Sequence, residues 1–474
     1  MMLYRIALPI FVIVFYGSLF LVGALGFQEI YDNILYGLGI VPFAWPFVDA
    51  HAILSAAQCH REGVDVLISN PCDVLNRPLS YSPLWLDLVP RFATTEHTFA
   101  VGVAFNLMFV AALYAVLRPA SWREWACLAV ACTSTAVTFA VERGNIDLII
   151  FALAALAAML YGRGPTARLA AYAICIFGGL LKFYPFVLLA LSLRETLARF
   201  VKIAMTASVA FVVFLVSYRE PLLTVANRIS TRSYFGDLFG AKNLPFGMVE
   251  LRYGAMDGYK LALAYSIFLV AVAACLVIAL FFIRTFDAQR IRIDWTRHEA
   301  RCLLIGSLLI VGCFFAGQSV GYRGIHLLLV LPGLMMLWRS TADRVLRHLL
   351  LFTIGAVLFV MWQEGIRHSF EYLLRLIGLR DRIPGTPSQI FWVMRELIWW
   401  WVVSVLTGMV ALFFIRSPSA RIIVNNWASR QKSSTNPTGS NAVGNFSGGV
   451  VQNVLQRRTR IEVSVLVDEG RIAP

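Results

Sequence analysis

The sequence predicts an all-α, polytopic membrane protein with about 12 membrane crossings and one long outer loop. Hydrophobic residues make up 59% of the 474 positions and charged residues 14%, whereas about 25% of the residues in soluble domains are charged. Phe and Trp, which are typical of lipid-facing helices and membrane interfaces, are abundant. The uninterrupted predicted spans are 3–26, 98–117, 124–140, 146–161, 203–217, 259–283, 302–317, 324–338, 348–363 and 391–415.

The remaining apolar segment, 169–193, is predicted to cross twice. It is interrupted by Lys182-Phe183-Tyr184-Pro185, and a proline or a lysine in mid-membrane is costly unless it lines a cavity. If the segment crosses once, the basic loop 284–301 lies opposite the basic loops at 118–123 and 163–168. If it forms two short helices that meet at Lys182, all the short basic loops lie on one side, as the positive-inside rule requires. Both termini are then cytoplasmic.

This topology divides the chain into a transmembrane domain, residues 1–415, and a polar cytoplasmic tail, residues 416–474, which is predicted to be disordered. The net charge of +14 comes mostly from the short loops, so we expect no nucleic-acid binding. The first loop, 27–97, is predicted to lie on the outer side. Loops of this length that carry their own charges are usually functional.

Eight cysteines are present, and six of them lie in or beside apolar spans, where they are expected to pack as small residues. The other two, Cys59 and Cys72, lie in the first outer loop and are predicted to form a disulfide in an oxidising compartment. No Cys and His spacing resembles that of a zinc site.

Four short polar motifs are predicted to meet on the outer side. An acidic residue that faces several cations at a lipid boundary suits a phosphate-bearing lipid. The cations would hold the phosphate, and the carboxylate would take a proton from an attacking hydroxyl. A lysine so far from the basic loops needs a partner, which favours a functional role for it. The motifs are Asp49, which begins a predicted membrane-surface helix that runs to Glu62; Arg143 and Asn145, with Glu142 and Asp147 as acidic neighbours; Lys182; and Tyr322, Arg323 and His326.

Most of these residues also have a structural interpretation. Asp49 could be a helix N-cap or a salt-bridge partner within the loop. Arg143 could extend to the membrane interface, and Arg323 could pair with lipid headgroups. The two histidines, His51 and His326, could be structural.

The motifs resemble those of the GT-C superfamily of polytopic glycosyltransferases over the first loop and over residues 138–195. Arg143-Gly144-Asn145 before an apolar run, and Leu181-Lys182-Phe183-Tyr184-Pro185, look like the arg-gly-asn and lys-x-tyr-pro motifs of GPI mannosyltransferase I catalytic subunits. Tyr322-Arg323 and the basic layout with a long tail are similar to bacterial polyprenol-phosphate-mannose-dependent mannosyltransferases. The matching first-loop features are Asp49, Ala56-Ala57, Gly63, Arg77 and Tyr81-Ser82-Pro83-Leu84.

The resemblance implies a GT-C-like fold in a bacterial inner membrane. The implied reaction transfers a sugar, with inversion, from a polyprenyl-phosphate sugar to the hydroxyl of an outer-leaflet lipid or glycan acceptor. Asp49 would be the catalytic base, and the family's asp-x-asp reads Asp49-Ala50-His51 here, so no cofactor is expected and a divalent-metal requirement stays open. The implied ligands of the donor phosphate are Arg143, Lys182 and Arg323, and the implied substrate contacts are His51, Arg77, Tyr81, Asn145, Tyr184, Tyr322 and His326.

A polytopic transporter or lipid flippase for envelope precursors is the main alternative, and a structural assembly subunit is a third. Transporters place charged residues near mid-membrane on several helices and carry internal repeats. Here the polar motifs are predicted on one side and no repeat is visible. An assembly subunit has no need for Lys182 at a helix break.

Overall fold

In a computed structural model of the chain, residues 2–43, 45–228, 233–254, 256–289, 291–378, 386–419 and 422 are described. This part of the chain is predominantly helical, with a single two-stranded antiparallel ribbon, which confirms the predicted helical class. Apart from residues 416–419 and 422, the predicted tail lies outside the described residues.

The helices of the first half are α1 (Met2–Ala24), α2 (Gln28–Gly37), α3 (Val48–Arg61), α4 (Leu84–Leu88), α5 (Thr98–Val116), α6 (Trp122–Cys132), α7 (Thr135–Arg143), α8 (Ile146–Tyr161) and α9 (Pro165–Lys182). Those of the second half are α10 (Leu197–Ser217), α11 (Arg219–Arg228), α12 (Asn243–Tyr253), α13 (Gly258–Ala288), α14 (His298–Ala316), α15 (Leu327–Ser340), α16 (Arg344–Met361), α17 (Gln363–Leu376) and α18 (Thr386–Arg416). Three 3₁₀ helices, η1 (Thr95–His97), η2 (Tyr184–Arg194) and η3 (Gly321–His326), and the strands β1 (Leu238–Phe239) and β2 (Ser319–Val320) complete the structure.

Eight helical segments of the described chain are long and apolar enough to cross a membrane, with η1 counted together with α5 and η3 together with α15. A ninth candidate is the pair α6 and α7, which is bent by 52° between Cys132 and Thr135, inside the predicted span 124–140. The helix α8 and the 3₁₀ helix η2 are apolar but shorter. The structure therefore confirms a multi-span membrane protein, and the count of about 12 crossings stays a prediction.

The helices α14 and α15 form the centre of the bundle. Buried residues make up 72% of the apolar part of α14 and 78% of that of Gly321–Ser340, which joins η3 and α15, against 11% for α10, which lies at the periphery. Glycines bring the two central helices close together, because a Cβ on Gly333 would lie 2.4 Å from the Cβ of Leu303. Small residues of this kind are the usual means of close helix packing in membranes.

Side-chain contacts gather the predicted cytoplasmic loops on one face of the protein. Arg339 forms an ion pair with Glu124, and His298 approaches the carbonyl of Val116 within 2.9 Å. At the two ends of the described chain, Arg5 donates to the Tyr114 carbonyl and Arg416 pairs with Asp287. Both ends therefore lie on the same face as these loops, as the predicted topology requires.

The predicted pair of short helices in 169–193 is present, with a 3₁₀ helix as its second member. The break is at Phe183, whose φ of 57° and ψ of −56° end α9. The two arms then run side by side, because Arg168 near the start of α9 pairs with Glu195 just after η2 at 2.5 Å. A 3₁₀ helix rises about 2.0 Å per residue, so the 11 residues of η2 extend further than an α-helix of equal length.

The first outer loop is a folded unit attached to the bundle by α3. The predicted helix from Asp49 to Glu62 is confirmed as Val48–Arg61, but ten of its fourteen residues are buried, so it packs inside the protein and does not lie on the membrane surface. The predicted disulfide between Cys59 and Cys72 is also present. It lies in a small core with Ala56, Val66 and Leu79.

Candidate functional site

A cavity of about 600 Å³ lies between the first outer loop, the tip of the α9–η2 hairpin, and the segment from β2 to η3. Asp49 is the only carboxylate among its described lining residues. The structure therefore brings the predicted base and the three predicted phosphate ligands to one cavity. The predicted site residues that line it are Asp49, Arg77, Tyr81, Arg143, Lys182, Tyr322 and Arg323.

Asp49 lies in the first turn of α3, two residues after Phe47. The predicted alternative of a helix N-cap does not apply, because Phe47 occupies that position and no side chain caps the helix. One carboxylate oxygen of Asp49 accepts from Arg77 Nη1 at 3.2 Å, and the other accepts from Asn145 Nδ2 at 2.6 Å. Since a carboxylate oxygen has more than one acceptor site, both keep capacity for a substrate hydroxyl.

Arg77 connects Asp49 to the rest of the first loop. Its Nε donates to Asp73 Oδ2 at 2.9 Å, and its Nη2 donates to the Val48 carbonyl at 2.7 Å. Burial raises the pKa of the Asp73 carboxyl, but the hydrogen bonds from Arg77 outweigh it and hold that pKa below the usual value of 3.8. The sequence analysis did not identify Asp73 as a residue that supports the site. Its spacing of four residues before Arg77 is the signal that could have indicated an ion pair.

Asn145 links the two halves of the site. The preceding Gly144 ends α7 in the left-handed region, with a φ of 57°, and Asn145 then caps α8 by accepting from the Asp147 amide at 2.9 Å. The Asn145 amide donates to Asp49 from the same position, and Lys182 Nζ lies 3.4 Å from its oxygen. The arg-gly-asn sequence is thus a helix-to-helix turn that also positions the carboxylate.

Lys182 lies at one end of a buried series of hydrogen-bonded polar side chains. Its Nζ pairs with Asp147 at 2.9 Å. The Tyr184 hydroxyl donates to the same Asp147 oxygen at 2.7 Å and lies 2.6 Å from His326 Nε2. Asp147 is fully buried, and the ion pair with Lys182 supplies the partner that a buried carboxylate needs.

Four predicted substrate contacts do not line the cavity. His51 is buried and faces Thr98, 3.1 Å from its hydroxyl, and burial lowers the pKa of the imidazole. Asn145, Tyr184 and His326 are buried behind Lys182 and Asp49. Asn145 contacts Asp49 and Lys182, and Tyr184 contacts Asp147 and His326, so these three residues support the charged side chains from behind. His51 contacts none of those charged side chains through a described hydrogen bond.

The two arginines predicted to bind the phosphate, Arg143 and Arg323, differ in the contacts that their side chains already form within the protein. Arg143 pairs with the buried Glu142 at 3.1 Å, lies 4.0 Å from the Phe43 ring and donates to the Val41 carbonyl at 2.5 Å. Arg323 lies 4.8 Å above the Tyr184 ring and forms no ion pair with a described carboxylate. Its buried Nε has no hydrogen-bond partner among the described residues.

Backbone strain is concentrated at this site. Among the described residues, three non-glycine positions have a positive φ: Phe47 at 70°, Asn76 at 50° and Phe183 at 57°. They lie within two residues of Asp49, Arg77 and Lys182, respectively. Such conformations cost about 1–3 kcal/mol each and cluster at functional sites. Three separate strained turns thus present three charged side chains to one cavity.

Within the described part of the chain, the one group with the geometry for a metal ion is Cys59, Glu62 and Cys72, and its cysteines are joined as the disulfide. It is separate from the cavity.

No protein-family model, curated protein or solved structure matches this chain.

Proposed function

We propose that the protein is a membrane glycosyltransferase. It would move a sugar, mannose or another hexose or pentose, from a polyprenyl-phosphate sugar to a hydroxyl of an outer-leaflet lipid or glycan acceptor. The observation that carries the proposal is a cavity in which one carboxylate, Asp49, faces four cationic side chains. The local motif resemblance to GT-C glycosyltransferases supports it.

The chemistry of this lining suits a displacement that needs one base. Asp49 accepts the proton of the acceptor hydroxyl as the hydroxyl oxygen attacks the anomeric carbon. The bond from that carbon to the phosphate oxygen breaks, and the lipid phosphate leaves with its electron pair. A phosphate leaving group needs charge stabilisation more than protonation, so cations suffice and the anomeric centre inverts. A second carboxylate, which glycosidases use, is not required.

Charge pairing within the site indicates which cation contacts the phosphate most directly. Arg77, Arg143 and Lys182 are each paired with a carboxylate. Arg323 is half-buried and has no such partner among the described residues. A phosphodiester carries one negative charge, so Arg323 is our primary phosphate ligand, with Lys182 and Arg143 as supporting charges.

The test is transfer by purified protein in detergent from radiolabelled polyprenyl-phosphate sugars, each with one pentose or hexose, to a lipid extract. Asp49→Asn is the inactive control. Asp65→Asn removes an exposed carboxylate of the same loop, away from the cavity, and should leave transfer unchanged. Since detergent removes the membrane to be crossed, transfer that depends on Asp49 excludes a pure transporter. Donor binding without transfer, together with flipping in vesicles, would support the transporter and overturn the proposal.

A further inference from the structure

A second cluster of buried charges lies beside the cavity, at the junction of α16, α17 and α18. Arg395, which is 1% exposed, is one of the largest fully buried side chains. It pairs with Glu396 at 2.6 Å and with Glu364 at 3.3 Å. Removing charges from water costs several kcal/mol per ion unless their partners are well placed. A cluster of this kind therefore calls for a role beyond packing.

The cluster holds the segment that leads into β1. Arg395 Nη1 donates to the Gly236 carbonyl at 3.0 Å. The Gln363 amide donates to Asp237 Oδ1 at 2.9 Å and accepts from Trp399 Nε1 at 2.8 Å. Both the nitrogen and the oxygen of the Gln363 side-chain amide are hydrogen-bonded, so the orientation of this amide is defined. Its N–H group is therefore held in place as the donor to Asp237.

Asp237 in turn contacts the other strand of the ribbon. Its carbonyl accepts from the Gly321 amide at 3.2 Å. Its carboxylate packs so closely on Gly321 that a Cβ there would collide with it. β1 pairs with β2 through Leu238 with Val320 and Phe239 with Ser319. Arg323 lies two residues beyond Gly321, and it is the cation of the cavity that has no ion-pair partner among the described residues.

We propose that Asp237, Gln363 and Arg395 form a latch that positions Arg323 for the donor phosphate. These are positioning residues, since none of them lines the cavity. Leu238, Gln318, Ser319 and Val320 do line it, so the latch also sets one wall. The kinetic part of this inference rests on the proposed function, whereas the structural part does not.

The variants are chosen to separate positioning from folding. Asp237→Ala removes the acceptor for Gln363, and Asp237→Asn keeps an oxygen at the same place. Burial and the neighbouring Glu364 raise the pKa of Asp237 to about 7, so asparagine resembles its neutral form. Glu371→Gln is the matched control. This carboxylate belongs to the same charge network, because Arg367 pairs with both Glu371 and Glu364, but it has no described hydrogen bond or ion pair with the ribbon.

The first measurement is hydrogen exchange of peptides that cover Ser319–Arg323, with the full-length protein in detergent. We expect faster exchange in Asp237→Ala and wild-type exchange in Asp237→Asn and Glu371→Gln. Unchanged exchange in a folded Asp237→Ala protein would overturn the latch. This measurement holds whether or not the protein transfers sugar, so it separates failure of the latch from failure of the proposed function.

The second measurement is the donor KM and kcat in the transfer reaction. We expect Asp237→Ala to raise the donor KM about tenfold, as for loss of a charge-assisted contact, with kcat within about twofold, and Asp237→Asn to restore KM. In an Arg323→Gln background, Asp237→Ala should have little further effect, because coupled residues are not additive. Equal KM effects in both backgrounds would show that the latch does not act through Arg323.

Discussion

Asp49 is held by two donors that come from distant parts of the chain, Arg77 and Asn145. In the proposed function, such support from both sides would hold Asp49 in a set orientation within reach of the proton of the acceptor hydroxyl. Phe47, two residues before Asp49, adopts a left-handed backbone conformation although it is not a glycine. This strained turn also helps to set the orientation of Asp49.

Asp49→Asn should lower the turnover number by about 10²–10⁴-fold, as is typical for loss of a general base. Asparagine keeps the size and the bond from Arg77 but accepts no proton at neutral pH. Donor affinity, measured by binding of the labelled lipid, should change little. Near-normal turnover in a well-folded preparation would contradict this role. The other acidic residues of the predicted motifs, Glu142 and Asp147, are buried and do not line the cavity, so the base would then have to come from outside its described lining.

Arg323→Gln and Lys182→Ala should differ in their effects on stability. Arg323→Gln should weaken donor binding by about 1.5–3 kcal/mol, the value of a charge-assisted hydrogen bond. The melting temperature should change little, because Arg323 forms no ion pair with a carboxylate in the described part of the chain. Lys182→Ala leaves the buried Asp147 unpaired, which costs about 3–5 kcal/mol of stability.

A thermal-shift assay and donor binding on the same samples check this difference. Adding Asp147→Asn to Lys182→Ala should recover most of the melting temperature without recovering donor binding. If Arg323→Gln destabilises the protein as much as Lys182→Ala does, then Arg323 is a structural residue and the assignment of the phosphate ligand is wrong.

At the scale of elements, the first outer loop acts as a clamp on α3. The disulfide joins the loop to Cys59 near the end of this helix, and Arg77 contacts Val48 and Asp49 at its start. The intervening residue Asp73 is fully buried and directly follows Cys72. The loop is thus connected to both ends of the helix that carries the predicted base.

The double variant Cys59→Ser, Cys72→Ser should lose about 3 kcal/mol of stability in the chain-entropy model of a short closed loop. Transfer activity should fall as well, because the loop then holds Arg77 less firmly. Mass spectrometry of protein from its native envelope should find the two cysteines joined. Two free thiols in that material would refute the disulfide in the living cell.

The ion pair of Asp73 and Arg77 should make the loop acid-sensitive. The pKa of Asp73 is lowered in the folded protein, so the stabilisation is present above the unfolded pKa of about 4 and is lost as pH falls through the folded pKa. Asp73→Asn should therefore be less stable than wild type at pH 7 by about 1.5–3 kcal/mol. The two melting curves should converge once the pH has fallen below the folded pKa of Asp73, where the carboxyl is protonated in both states.

Melting temperatures measured from pH 7 downward check this expectation, with Asp65→Asn as the control for removal of an exposed carboxylate. A difference that stays constant down to the acid limit would show that the loss of stability comes from packing and not from charge.

At the scale of the whole molecule, the site depends on where the chain turns. The contacts between Arg339 and Glu124, and between Arg5 and Tyr114, gather the basic loops at one end. The hairpin of α9 and η2 returns the chain to that end, as the pairing of Arg168 with Glu195 shows. Lys182 at its tip then lies at the opposite end, with Asp49.

We expect reporter fusions after Ala241 to show an outer location and fusions after Asp294 to show an inner one. The physical reason is the positive-inside rule applied to the basic loops that this arrangement gathers. Alkaline phosphatase and a fluorescent protein, fused at each position in turn, give opposite signals and serve as mutual controls. The reverse pattern would place the cavity on the cytoplasmic side and remove the basis for an outer-leaflet acceptor.

Several features followed from the sequence by itself. Apolar length and helix-breaking residues are local properties, so the helical class, the break after Lys182 and the helix that follows Asp49 could be predicted from them. The clustering of Asp49, Arg143, Lys182 and Arg323 could be predicted as well, because charges that lipid cannot accommodate must share a cavity.

Only the tertiary structure decided which of these cations are paired with a carboxylate of the protein and which one has no such partner among the described residues. Asn145 and Asp49 are 96 positions apart, and Tyr184 and His326 are 142 apart, so no local pattern records their contact. The same holds for the placement of His51 against Thr98, outside the cavity. Helix formation depends on neighbours in the chain, whereas the orientation of a side chain within a bundle depends on packing between helices that are distant in sequence.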